Sequence, residues 1–217
     1  RAIQEMSGCQ VAMHAIAKQH MDQRDGWATW WRYFGQEADF CRCDRALHDG
    51  DEVAVGPYRF RVIHTPGHAS EGIVLYEPDH KVLISSDTLW KQDLAIINPR
   101  IEGSAAVFWA MDSLDKLSGL EVAMAYPGHG PAFSDFRPAL DRARRRYEGY
   151  LRHPRRVGED LLKRITCYTL LMRPGLERPG FLNHLMGVPW FPETVDLFLD
   201  GDYAGALKEA MDVLVKR

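Results

Sequence analysis

Residues 61–76 read RVIHTPGHASEGIVLY, a pattern of strand, tight polar turn and strand. Val62 and Ile63 close an alternating run that begins at Tyr58, and Gly72 to Tyr76 opens a second apolar run. Between them Pro66 fixes one backbone angle, and Gly67 permits a conformation that other residues resist. His64 and His68 therefore stand at a strand end held by rigid punctuation, where an imidazole can ligate a metal or move a proton. Taken alone, a histidine beside such a turn is more often structural.

Upstream of it, Asp49-Gly50-Asp51 predicts a turn, Glu52 to Val55 a strand, Gly56-Pro57 a turn and Tyr58 to His64 a strand. Phe60 and Val62 face one way and Arg59 and Arg61 the other, so one sheet face is wet or covered by polar groups. Residues 1–7 predict the end of a helix stopped by Gly8, Cys9 to Met13 a short strand, and His14 to Met21 a helix. Trp27, Trp30, Trp31 and Phe34 fall at helical spacing. That aromatic stripe predicts either core packing or a lid or subunit contact.

Downstream, Pro78-Asp79 predicts a hairpin turn between Gly72–Glu77 and Lys81–Ser85. Ser104 is expected to cap a helix burying Val107, Met111 and Leu114, which Gly119 ends. Leu120 to Tyr126 predicts a buried strand, and Asp135 is expected to cap a helix burying Phe136, Leu140, Ala143, Tyr147 and Tyr150. The other face of that helix carries Arg142, Arg144, Arg145 and Arg146. It reads as a solvated surface or as a site for an anionic substrate or RNA backbone. From there only helices are expected: Val157–Met172, Arg178–Met186, Glu193–Leu199 and Tyr203–Lys216. The order predicts an α/β domain over residues 1–136 and a helical extension over 137–217.

Bulk properties agree with an ordinary globular protein: 217 residues, 46% apolar and 26% charged. A net charge of −3 gives no global reason to expect nucleic acid or an anionic membrane as partner. No apolar run approaches the roughly 20 residues that cross a bilayer. The four cysteines, at positions 9, 41, 43 and 167, lack a zinc-knuckle spacing. They read as free thiols in a reducing, cytoplasmic compartment. The first residue is Arg rather than Met, which predicts a processed or truncated chain and leaves any targeting signal unread.

Three strand-end motifs line up along the chain: His64-Thr-Pro-Gly-His68, Ser85-Ser-Asp87-Thr88 and Pro127-Gly-His129-Gly130. Each follows an apolar strand and delivers an imidazole or carboxylate where the chain leaves the sheet. Such donors suit zinc, and also iron or manganese. His14, His20, His48, His80, His153 and His184 lie at helix or loop positions without a matching partner.

In order and spacing the three motifs resemble those of the metallo-β-lactamase superfamily, including its glyoxalase II-like branch. The resemblance covers Arg1 to about Phe136. It implies a four-layer αββα sandwich, incomplete at the N-terminus, with a C-terminal helical extension. It further implies that His68, Asp87 and His129 are metal ligands, with Asp87 bridging two zinc ions, while His64 has a supporting role. The implied activity of the intact protein is hydrolysis of a small ester, thioester or lactone through a metal-bound hydroxide. Alternatives on the same fold are a ribonuclease or phosphodiesterase, and an iron-dependent thiol persulfide oxidoreductase. One departure stands out: the family's H-x-H-x-D-H motif occurs nowhere in these residues. The resemblance places it before Arg1, so the chain by itself is expected to bind metal poorly and to be inactive. The expected partner is a small-molecule substrate, with the tail either shaping the site mouth or contributing to a homodimer.

Overall fold

The computed structural model describes residues 2–173, 175 and 178–215, and these form two compact units. The first runs up to Thr29 and resumes over Ala38–Glu148; the second comprises Trp30–Glu37 and the chain from Gly149 onward.

The first unit opens with α1 (Ala2–Ser7), ended by Gly8 at φ +65°, then β1 (Ala12–His14), α2 (Ala15–Gln23) and β2 (Arg45–Leu47). β1 and β2 form a two-stranded parallel ladder. The Asp44 carboxylate pins its entrance by accepting the Val11 N–H and the Gln4 amide, each at 2.9 Å. The Cys43 thiol sits beside the Arg45 carbonyl at 3.2 Å, and the four cysteines are free thiols.

A second, five-stranded sheet follows, built from β3 (Glu52–Val55), β4 (Tyr58–His64), β5 (Ile73–Glu77), β6 (Val82–Ser86) and β7 (Met124–Pro127). Strand order equals chain order. The first three pairs are antiparallel and β6–β7 is parallel. The alternation expected over Tyr58–His64 is present: Phe60 and Val62 are buried, while Arg59 and Arg61 are exposed. One face of the sheet is closed by Ile63, Val74, Tyr76, Leu83 and Ala125, all under 10% exposed. On the other face, the paired row Val62, Leu75, Ile84 and Tyr126 opens progressively, from 0% exposure at Val62 to 49% at Tyr126.

Between β6 and β7 lie α3 (Pro99–Glu102) and α4 (Ala106–Ser118), and α5 (Phe136–Arg152) follows β7. The short α3 is not evident in the sequence; Asn98 starts it by accepting the Arg100 N–H, and Pro99 occupies its first position. The expected cap at Ser104 is not realised, because α4 begins after Ala105 with no side-chain cap. The expected buried face of α5 is present, with Phe136, Leu140, Ala143, Tyr147 and Tyr150 all buried.

The second unit contains α6 (Arg155–Met172), α7 (Arg178–Met186), α8 (Trp190–Phe198) and α9 (Tyr203–Val215). The expected helix end at Lys216 lies outside the described residues. Phe34 packs 6.3 Å from Trp190, whose ring lies 5.6 Å from Phe191. The aromatic stripe over residues 27–34 is not one helix. Trp30 adopts φ +67°, a left-handed turn that no α-helix accommodates. Tyr33 and Phe34 are core residues of this unit, whereas Trp27 is 47% exposed in the first unit.

Candidate metal centre

The turn over residues 65–72 is held from three sides. Thr65 N–H bonds to Gly72 O at 2.8 Å, closing the turn on itself. From α4, the Ser113 hydroxyl donates to Pro66 O and the Lys116 ammonium to His64 O, both at 2.7 Å. Gly67 adopts φ +142° and lies so close to α4 that a Cβ there would fall 2.6 Å from the Ala110 backbone. Glycine is thus required twice over, for conformation and for space.

That rigid turn delivers His68. Its Nδ1 lies 2.7 Å from Ile96 O, and since a carbonyl only accepts, Nδ1 carries the proton. The tautomer leaves the lone pair on Nε2, which faces Asp87 Oδ2 at 3.8 Å. Ligating imidazoles are oriented in this way by a carbonyl behind the ring. Two residues further on, Ser70 N–H bonds to the buried Glu102 carboxylate at 2.7 Å. The segment from Ile96 to Glu102, unremarkable in sequence, therefore anchors both sides of the His68 turn.

Asp87 follows an irregularity. The β6–β7 register shifts between Ile84 and Ser86, and Ser86 adopts φ +48°. A non-glycine residue in the left-handed region carries strain of about 1 kcal/mol or more, tolerated where the surroundings impose it. Here Gly128 N–H bonds to Ser86 O at 2.7 Å and Thr88 N–H to Ser85 O at 3.1 Å. The Thr65 and Thr88 hydroxyls meet at 2.8 Å, tying the first motif to the second.

His129 comes from the loop after β7. Its Nε2 lies 3.8 Å from Asp87 Oδ1, the other oxygen of the carboxylate that faces His68. A Cβ on Gly128 would fall 2.4 Å from that oxygen. The Trp90 indole N–H also donates to Oδ1, at 3.0 Å, and its ring lies edge-on to His129 with centroids 4.9 Å apart. His68 and Asp87 are about one-quarter to one-third exposed at the side chain, and His129 is 70% exposed. Beside them opens a cleft of about 400 Å³, lined by Trp90, Lys91, Gln92, Asp93, His129, Gly130 and Pro131.

All three residues singled out in the sequence are thus brought to one place, and His64 is not among them. His64 Nε2 bonds to Ser70 O at 2.8 Å, and its ring stacks on His14. A carboxylate flanked by two imidazoles suits a borderline divalent ion. Two metal positions would each find one imidazole nitrogen and one carboxylate oxygen there. Among the described residues, no group of three or more His, Cys, Asp or Glu is placed to hold one ion. Four-coordination of either position would need further ligands. The sequence did not point to Trp90, although an aromatic three residues after the aspartate in the same turn is the signal available.

A sequence profile described as the Metallo-beta-lactamase superfamily matches residues 10–129, more than half the chain. Hydroxyacylglutathione hydrolases of Brucella ovis and Brucella abortus are 38% identical over 98 residues, 45% of this chain and 36% of each of those proteins. The chain thus spans little more than a third of the length of these curated relatives. A metallo-beta-lactamase family protein from Thermus thermophilus superposes with a TM-score of 0.55 at 20% identity, covering 84% of this chain and 62% of that one. A metallo-beta-lactamase from Cronobacter sakazakii gives 0.56 at 17% identity, covering 71% and 69%. At such identities the likeness is one of fold.

Proposed function

The chain belongs to the metallo-β-lactamase superfamily, and on that premise we propose that His68, Asp87 and His129 are metal ligands of a hydrolase acting on a small ester, thioester or lactone. One observation carries the proposal: a single carboxylate lies 3.8 Å from each of two imidazole Nε2 atoms, one per oxygen. Asp87 would hold metal together with the two imidazoles, one per carboxylate oxygen, and zinc is the expected ion, with iron or manganese compatible with the same donors. The name of the Brucella relatives, hydroxyacylglutathione hydrolase, favours a thioester among the three bond types.

When bound, the metal supplies Lewis acidity and makes water a better nucleophile at neutral pH. The residues of this chain supply placement. Ile96 O fixes the His68 tautomer, the Thr65–Thr88 bond holds the two turns in register, and Gly128 leaves room for the Asp87 carboxylate. The neighbouring cleft, which Trp90, Lys91 and Gln92 help to line, is of a size for a small ligand.

A phosphodiester substrate is less well supported. Three of the four arginines on the basic face of α5 are engaged within their own unit: Arg144 pairs with Asp115, Arg146 with Asp93, and Arg142 with Asp135. No helix among the described residues is long and apolar enough to cross a membrane.

The deciding experiment loads the intact protein with zinc and measures metal content and hydrolysis of a 2-hydroxyacyl-glutathione thioester, for the wild type and Asp87→Ala. Occupancy and rate should fall together in the variant. Retention of both by Asp87→Ala would remove the assignment of Asp87 as a ligand.

A further inference from the structure

Trp90 touches two of the three residues assigned as ligands. Its indole N–H donates to Asp87 Oδ1, and its ring packs edge-on against His129. Oδ1 is also the oxygen that faces His129 Nε2. An aspartate carboxylate turns readily about its last bond, because that torsion is broad. A directed N–H on one oxygen selects one rotation, here the one that turns Oδ2 toward His68 and Oδ1 toward His129. His129, with most of its side chain exposed, has the Trp90 ring as its aromatic neighbour.

The loop bearing Trp90 is in turn tethered to α5. Arg142 Nε donates to Lys91 O at 3.2 Å and its terminal nitrogen to Asp135 at 3.3 Å, while the Lys91 ammonium lies 3.7 Å from the same carboxylate. Arg146 pairs with Asp93 two residues further along. The arginine cluster thus has a use that its sequence does not disclose: it holds the segment 91–93 in place.

We propose that Trp90 is a positioning residue, which sets the rotation of the Asp87 carboxylate through its indole N–H and steadies His129 through its ring, with Arg142 and Arg146 holding its loop. The consequence for metal rests on the ligand assignment above; the hydrogen bond and ring contact do not.

Two measurements on the full chain test the proposal. In the metal-free protein, the indole N–H resonance that disappears in Trp90→Phe should shift upfield in Asp87→Ala as its acceptor is lost. In cobalt(II) titrations against a chromophoric chelator, Trp90→Phe keeps a ring beside His129 and loses only the N–H. It should bind about 10-fold more weakly, the lower end of outer-shell effects, with a changed visible cobalt spectrum. Arg142→Met should change both in the same direction and by less. Far-UV circular dichroism controls for folding. An indole resonance indifferent to Asp87, or a Trp90→Phe protein with wild-type cobalt affinity and spectrum, overturns the proposal. If the indole reports Asp87 but the wild type binds no cobalt, the ligand assignment fails and the positioning relation stands.

Discussion

His14 and His64 lie ring on ring, centroids 4.3 Å apart and planes within 8° of parallel. The contact joins the end of β1 to the end of β4 and so links the two sheets of the first unit. His14 is buried, and its Nδ1 accepts the Ile16 N–H at the start of α2, which protonation would forbid. Burial first, and then His64 and His48, push its pKa below the ordinary imidazole value, against the opposing pull of Glu71 and Asp49.

Acid sensitivity follows with a definite sign. A histidine depressed in the folded state binds a proton more readily when unfolded, so its contribution is complete above the unfolded value of about 6.5. The contribution declines as pH falls through that value and is lost once pH passes the lower, folded one. His14→Asn keeps a side-chain acceptor at the helix start and should flatten the stability profile between about pH 7.5 and 5.5, the range around the ordinary imidazole value. Urea midpoints across that range check it; an unchanged slope would assign the sensitivity to other groups.

Gly67→Ala should destabilise the protein by about 3 kcal/mol. The added methyl meets the Ala110 backbone rather than a yielding side chain, and φ +142° is unfavourable to it as well. Chemical denaturation with an unchanged m-value would show the loss to be one of native stability.

Gly128→Ala separates space from conformation. Its Cβ would meet the Asp87 carboxylate, the end of a half-buried side chain that can swing aside. Stability should therefore fall by about 1 kcal/mol or less, near the typical point mutant. Zinc affinity should fall by about tenfold because Asp87 is displaced. Parallel zinc titration and urea unfolding would reveal the two effects.

Because Arg142, Arg144 and Arg146 are paired within the first unit, α5 should not behave as a polyanion-binding face. Single-stranded RNA should be retained weakly at low salt, with a shallow dependence on salt concentration. A steep dependence, abolished by Arg144→Ala and Arg145→Ala together, would revive the phosphodiesterase alternative.

Much of the first unit was readable because its signals are local. Phe60 and Val62 alternate with Arg59 and Arg61, Pro and Gly mark the turns, and three polar strand ends follow apolar runs. Elements that depend on distant partners were not readable. The carbonyl that orients His68 belongs to Ile96, and the carboxylate that holds Ser70 belongs to Glu102, on a helix of four residues. The arginines of α5 looked solvated because Asp93 and Asp115 lie tens of residues away in the chain. The tryptophan stripe had helical spacing, but spacing cannot report that Trp30 turns left-handed.

The parallel pairing of β6 with β7 has a consequence for the order in which the site forms. β3 to β6 are successive antiparallel neighbours, closed by short turns, whereas β7 joins only after the chain from Asp87 to Ala123 has looped back. Long closures of this kind are slow relative to hairpins. His68 and Asp87 should therefore meet while the chain is still folding, and His129 should arrive last. Pulse-labelled hydrogen exchange during refolding would then protect the amides of Leu75 and Tyr76 before that of Tyr126. A nascent chain would carry its first imidazole and its carboxylate side by side, still open to solvent, before the second imidazole arrives.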